Sequence, residues 1–111
     1  MDTRPGWFSE GLAMYVSESN QEQEFGRRLL ADYRKGIMPG PDDMAGERNY
    51  TWGCVLFEYI MNRFGPKRIL HIIEKTCERD VISLLGDRSA IVEGYVRYLP
   101  ERIEQIASTM K

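Results

Sequence analysis

Residue types that often reveal a protein's chemistry are scarce in this sequence. Its 111 residues include one histidine, His71, and two cysteines, Cys54 and Cys77. The cysteines form no CxxC pair and no dense disulfide framework, and their spacing with His71 matches no structural zinc site. Nor does the sequence around them suggest an activated thiol nucleophile. We therefore expect both cysteines to be core thiols.

Long apolar runs and blocks of like charge are also absent. No apolar run approaches the roughly 18 residues of a membrane-spanning helix, and the N-terminus has no apolar signal-peptide core behind a basic start. The chain combines 15 basic with 17 acidic residues, for a net charge of -2, and neither sign is clustered. We expect no membrane span and no binding to nucleic acid. The sequence does not indicate a compartment.

The apolar pattern predicts helices along the whole chain. A composition of 42% hydrophobic and 29% charged residues is typical of one globular domain, here residues 1–111. We predict an all-α helical bundle, with a loop at 36–49 between its helical parts. The predicted helices cover 7–18, 20–35, 50–64, 66–79 and a last segment from about Ser89, which Pro100 should kink or restart. The predicted core aromatics are Trp7, Trp52, Phe57 and Tyr59.

The first helix contains an unusual stretch, WFSEGLAMYV. Its apolar residues form one wide arc, and Glu10 lies at the edge of that arc. Glutamate is rarely buried without a partner, and Gly11 costs about 1 kcal/mol relative to alanine inside a helix. A close approach by another helix would explain the glycine. Alternatively, Glu10 is a boundary residue whose carboxylate reaches water or an arginine.

This stretch resembles the segment that carries the third zinc ligand in gluzincin metallopeptidases, most closely the peptidase MA-like group. In that segment an aromatic, a glutamate, a glycine and a small residue are followed by an aromatic. The matching residues here are Trp7, Glu10, Gly11, Ala13 and Tyr15. The later stretches YTWGCVLFEYIMNRFG and LLGDRSAIVEGYVRYL are similar to the family's next helix and closing segment. The resemblance therefore covers most of the chain.

The resemblance implies that the chain is the C-terminal helical part of a zinc-dependent metallopeptidase. Glu10 would be the third zinc ligand of the intact protein. Tyr50 would donate a hydrogen bond to the oxyanion of the tetrahedral intermediate; the alternative is a helix-start aromatic that packs on the loop. The reaction would be hydrolysis of a peptide or protein substrate by zinc-bound water.

The sequence departs from the family in lacking the HExxH helix, which supplies two histidine ligands and the catalytic glutamate ahead of this segment. The single histidine, His71, follows Glu10 in the chain and cannot replace that pair. We expect it to be a packed or boundary residue. We also expect the isolated chain to hold no zinc and to be inactive, as a fragment of a larger metallopeptidase domain. The alternative is a non-catalytic helical interaction module.

A domain separated from its metal-bearing helix would leave an apolar face uncovered. That face would lie on the first helix and include Trp7, Gly11 and Met14. Uncovered apolar faces promote association. We therefore expect a homo-oligomer formed through the first helix.

Overall fold

Helices make up the regular structure in the part of the chain that the structure describes. The computed structural model describes residues 6–18, 23–40, 43–44, 46–75 and 86–109. The helices in these ranges are α1 (Gly6–Val16), α2 (Gln23–Arg34), α3 (Arg48–Phe64), α4 (Pro66–Lys75) and α5 (Arg88–Thr109). The described residues contain no strand, and the predicted all-α fold is confirmed. Within the same ranges, no helix has both the length and the apolar character to cross a membrane.

Helix α3 forms the centre of the bundle because it is apolar around most of its circumference. Every residue from Thr51 to Ile60 is buried, and α1, α2 and α5 add fully buried side chains around it. The predicted core positions of Trp7, Trp52, Phe57 and Tyr59 are confirmed. The largest fully buried side chains are those of Trp52, Tyr95, Phe8, Phe57, Leu29, Leu56, Ile60, Ile91, Leu99 and Val55.

Glycine and proline mark the helix ends, as the sequence predicts. Gly36 follows α2 with a φ of 79°, and Gly65 separates α3 from α4 with a φ of 86°, values that favour glycine. Pro66 begins α4, where its missing N–H costs no helical hydrogen bond. Helix α3 begins at Arg48, two residues before the predicted start at Tyr50. The predicted start of the second helix at residue 20 and the predicted end of the fourth helix at residue 79 lie outside the described residues.

The last helix does not restart at its proline. Helix α5 is continuous from Arg88 to Thr109 and contains Pro100. Pro100 is exposed, whereas Leu99, Ile103 and Ile106 are buried. Burial of the apolar face before and after the proline supports the helix despite the lost backbone hydrogen bond. Of the two outcomes predicted at Pro100, a kink or a restart, the restart does not occur, and the kink stays a prediction.

The apolar face of α1 is covered within the chain. Trp7 is only 3% exposed, Gly11 is buried, and Met14 packs against the core. Helix α3 covers this face, because the two helices make the most extensive contact among the helices. The expectation that this face is left open is therefore wrong. A covered face gives no physical reason to expect association through α1.

Candidate functional site

Two glycines bring the backbones of α1 and α3 into contact. A Cβ atom added at Gly11 would lie 2.5 Å from the carbonyl oxygen of Gly53, and one added at Gly53 would lie 2.7 Å from the carbonyl oxygen of Trp7. Both separations are too short for a real Cβ, so neither position has room for a side chain. The close approach that the sequence predicts at Gly11 is therefore made by α3 of the same chain.

This contact places Glu10 next to Tyr50. Glu10 precedes Gly11 on α1, and Tyr50 lies in the first turn of α3, shortly before Gly53. The Tyr50 hydroxyl lies close enough to the Glu10 carboxylate for the two groups to interact. Hydrogen bonding to Glu10 and the negative charge of that carboxylate raise the pKa of Tyr50 above its ordinary value of 10.0. The structure thus brings together the two predicted site residues, which are far apart in the sequence.

Both residues lie at the rim of the bundle. Glu10 is half-buried, and Tyr50 is 42% exposed. The Glu10 carboxylate therefore has the phenol of Tyr50 as a neighbour on the α3 side. Because Tyr50 is open to solvent, a bound molecule would have access to its hydroxyl.

Aromatic rings fix the two helices on the core side of this pair. The Phe8 and Phe57 rings meet edge to face with centroids 5.7 Å apart, and the Tyr15 and Phe57 rings lie 5.3 Å apart. Such pairs add about 0.5–1.5 kcal/mol beyond the apolar area they bury. Because these rings hold α1 on α3 from both sides of Gly11, Glu10 and Tyr50 keep a fixed relative position.

The described residues do not make a complete zinc site. They contain no group of three or more histidine, cysteine, aspartate or glutamate side chains that could hold a metal ion. Glu10 fits one position of such a site, as a half-buried carboxylate beside the Tyr50 hydroxyl. Any further ligands of a zinc ion at Glu10 would have to come from other residues.

The histidine and the described cysteine lie in different environments. His71 is exposed on α4, two residues after the buried Ile69, so of the two expectations, a packed or a boundary residue, the packed histidine is not observed. Cys54 is fully buried, as predicted, and burial together with the charge of Glu58 raises the pKa of its thiol to about 12. A thiol with this pKa is not a nucleophile at neutral pH. Cys77 lies outside the described residues.

A carboxylate that the sequence analysis missed, Asp32, holds α2 against the start of α3. Arg48 donates to it from Nε at 3.1 Å and from Nη2 at 3.2 Å, and the Trp52 indole donates at 2.8 Å. Burial acts to raise the pKa of Asp32, but these hydrogen bonds and the charge of Arg48 outweigh it and lower the pKa below its ordinary value of 3.8. Nothing in the local sequence of α2 distinguishes Asp32 from its polar neighbours.

A groove leads from Tyr50 along α2 and the start of α3. It has two adjoining parts that share three lining residues. The part next to Tyr50 also contains Met14 and Phe25, and the far part also contains Asp32 and Arg48. The shared residues are Arg28, Glu47 and Thr51. Tyr50 therefore lies at one end of a surface groove with charged walls.

No protein-family model matches this chain, and no curated protein or solved structure gives a significant match.

Proposed function

We propose that this chain is the C-terminal helical part of a gluzincin-like zinc metallopeptidase that hydrolyses peptide bonds, with Glu10 as one of the metal ligands. The observation that supports the proposal most directly is the placement of the Tyr50 hydroxyl beside the Glu10 carboxylate. The sequence pattern assigns both residues to a single site, and a chance resemblance between helices does not require them to meet. Their meeting supports the proposal.

The two residues have chemically suitable roles. Glu10 offers an anionic oxygen from a half-buried position, and the hydroxyl of Tyr50 orients that carboxylate, as partners of metal ligands commonly do. Tyr50 is exposed enough to donate to an oxygen of a bound substrate instead. The histidine ligands and the general base would come from an HExxH segment beyond this sequence. The 111-residue chain by itself would then be inactive.

The test is zinc retention by the protein expressed from the full natural reading frame that contains this sequence. After dialysis against a mild chelator, we expect one zinc ion per chain in the wild type. The substitution Glu10→Gln should lower the zinc affinity by at least about tenfold without changing the helical circular dichroism. Glu18→Gln, at an exposed position just after α1, is the matched control and should retain zinc.

Two results would contradict the proposal. One is a reading frame without HExxH whose product holds no zinc. The other is equal zinc content in the wild type and in Glu10→Gln, which would remove Glu10 from the ligand set. Either result would favour the alternative of a non-catalytic helical interaction module.

A further inference from the structure

We propose that the groove beside Tyr50 binds the substrate peptide and that Arg28 binds an aspartate or glutamate side chain of that peptide. The inference rests on the function proposed above, since it takes Tyr50 as the end of the groove where reaction occurs. Arg28 stands in the middle of the groove, because it lines both of its parts. A peptide that extends from Tyr50 along α2 must therefore pass it.

Arg28 has donors available for such a ligand. Its Nε donates to Glu24 at 3.0 Å, whereas its Nη1 approaches Glu47 only to 3.7 Å, which is too long for a hydrogen bond. Among the described residues, no acceptor lies within hydrogen-bond distance of the terminal nitrogens of Arg28. The side chain is 48% exposed. A guanidinium in this state matches the two oxygens of a carboxylate.

Glu47 shows where the ligand carboxylate would be attracted. It lies across the groove from Arg28, and its side chain is 78% exposed. An exposed ion pair at this separation contributes little to stability, so displacing Glu47 costs little. A ligand carboxylate that reaches hydrogen-bond distance gains a stronger contact than the one it replaces. Glu47 therefore competes with the ligand for Arg28.

The shape of the groove favours a side-chain carboxylate over the C-terminal carboxylate of a peptide. The groove continues past Arg28 toward Asp32 and Arg48, so a chain bound at Arg28 has room on both sides. A peptide that ended at Arg28 would leave the far part empty. Asp32 and Arg48 bind each other through two hydrogen bonds, and they compete less for the ligand than Glu47 does.

The test is a titration of the 111-residue chain, observed by amide NMR, with blocked alanine pentapeptides. One peptide carries a central glutamate and the other a central glutamine, and both are acetylated and amidated. We expect the glutamate peptide to shift the signals of Arg28, Tyr50 and Thr51. We also expect it to bind at least about fivefold more tightly than the glutamine peptide, as for a charge-assisted hydrogen bond.

Three variants sharpen the test. Arg28→Gln should abolish the preference for glutamate, whereas Glu47→Gln should increase it by removing the competing carboxylate. Arg27→Gln is the matched control, because Arg27 also donates to Glu24 but lines neither part of the groove. It should leave the preference unchanged.

Equal affinity for the two peptides would overturn the inference. So would an equal loss of the preference for the glutamate peptide in Arg27→Gln and Arg28→Gln. So would equally tight binding of an alanine pentapeptide whose only carboxylate is its free C-terminus. Peptide binding at Arg28 requires no metal. A failed titration would therefore leave the zinc test of Glu10 standing, and a failed zinc test would leave the peptide preference measurable.

Discussion

Helices α1 and α5 pack on different faces of α3 by different means. On the α1 side the contact is between backbones, because Gly11 and Gly53 leave no room for a side chain. On the α5 side the contact is made by long side chains. Arg102 of α5 donates to both carboxylate oxygens of Glu58, at 3.1 and 3.3 Å, and the Tyr59 hydroxyl fills the space beside Gly94.

The difference shows which contact can hold a site in place. Backbone atoms cannot change rotamer, so the α1 contact permits one relative position of the helices and fixes Glu10 beside Tyr50. The α5 contact depends on a charged pair whose side chains are only 18% and 9% exposed. A pair of this kind stabilises the fold only while both partners are present. The α1 side supports the candidate site, and the α5 side supports the bundle.

The largest expected effect comes from breaking the charged pair on the α5 side. Arg102→Met removes the positive charge beside the Glu58 carboxylate, which is nearly buried. The loss of this ion pair should lower the free energy of unfolding by about 3 kcal/mol. Urea denaturation at constant slope measures the change. Replacing both residues by leucine should recover part of the loss, because no buried charge then remains.

The control for this variant is Arg97→Met on the same helix. Arg97 pairs with Glu93 where both side chains are more than 60% exposed, and its loss should cost about 0.5 kcal/mol or less. If Arg102→Met is no more destabilising than Arg97→Met, the charged pair does not hold α5 on α3.

A smaller effect is expected from disturbing the backbone contact on the α1 side. Gly11→Ala places a methyl group against the carbonyl of Gly53, and overpacking of this kind lowers the free energy of unfolding by about 1–3 kcal/mol. Gly6→Ala is the matched change at the start of the same helix. The described atoms nearest to its Cβ all belong to the movable Asn49 side chain, and the change should be neutral or stabilising by up to about 1 kcal/mol. A stabilised Gly11→Ala would contradict the close approach.

The smallest effect concerns Asp32, which ties α2 to the start of α3, and it depends on pH. The pKa of Asp32 is lower in the folded chain than its ordinary value of 3.8. Its contribution to stability is therefore complete above about pH 4 and is lost as the pH falls through the folded-state pKa. Asp32→Asn should cost about 1 kcal/mol at neutral pH and progressively less in acid. Urea denaturation at several pH values measures this, with the exposed Asp43→Asn as control; a difference independent of pH would contradict the argument.

Several features of the fold could be predicted from the sequence because they depend on neighbouring residues. The apolar period identified the helices, and Gly36 and Gly65 marked two of their ends. Glu10 and Tyr50 could be selected because the spacing around them resembles a known motif. Asp32 could not be selected, because its importance comes from Arg48 and Trp52, which lie in another helix.

By itself, the sequence determined the helical class and the positions of glycine and proline at helix ends. The tertiary structure alone decided that α3 of the same chain fills the space beside Gly11, that Tyr50 lies beside Glu10, and that α5 continues through Pro100. The physical reason is the range of the interactions. Helix propensity and amphipathic period act over a few neighbouring residues, whereas backbone contact, burial and hydrogen bonding between helices depend on which surfaces meet when the chain folds.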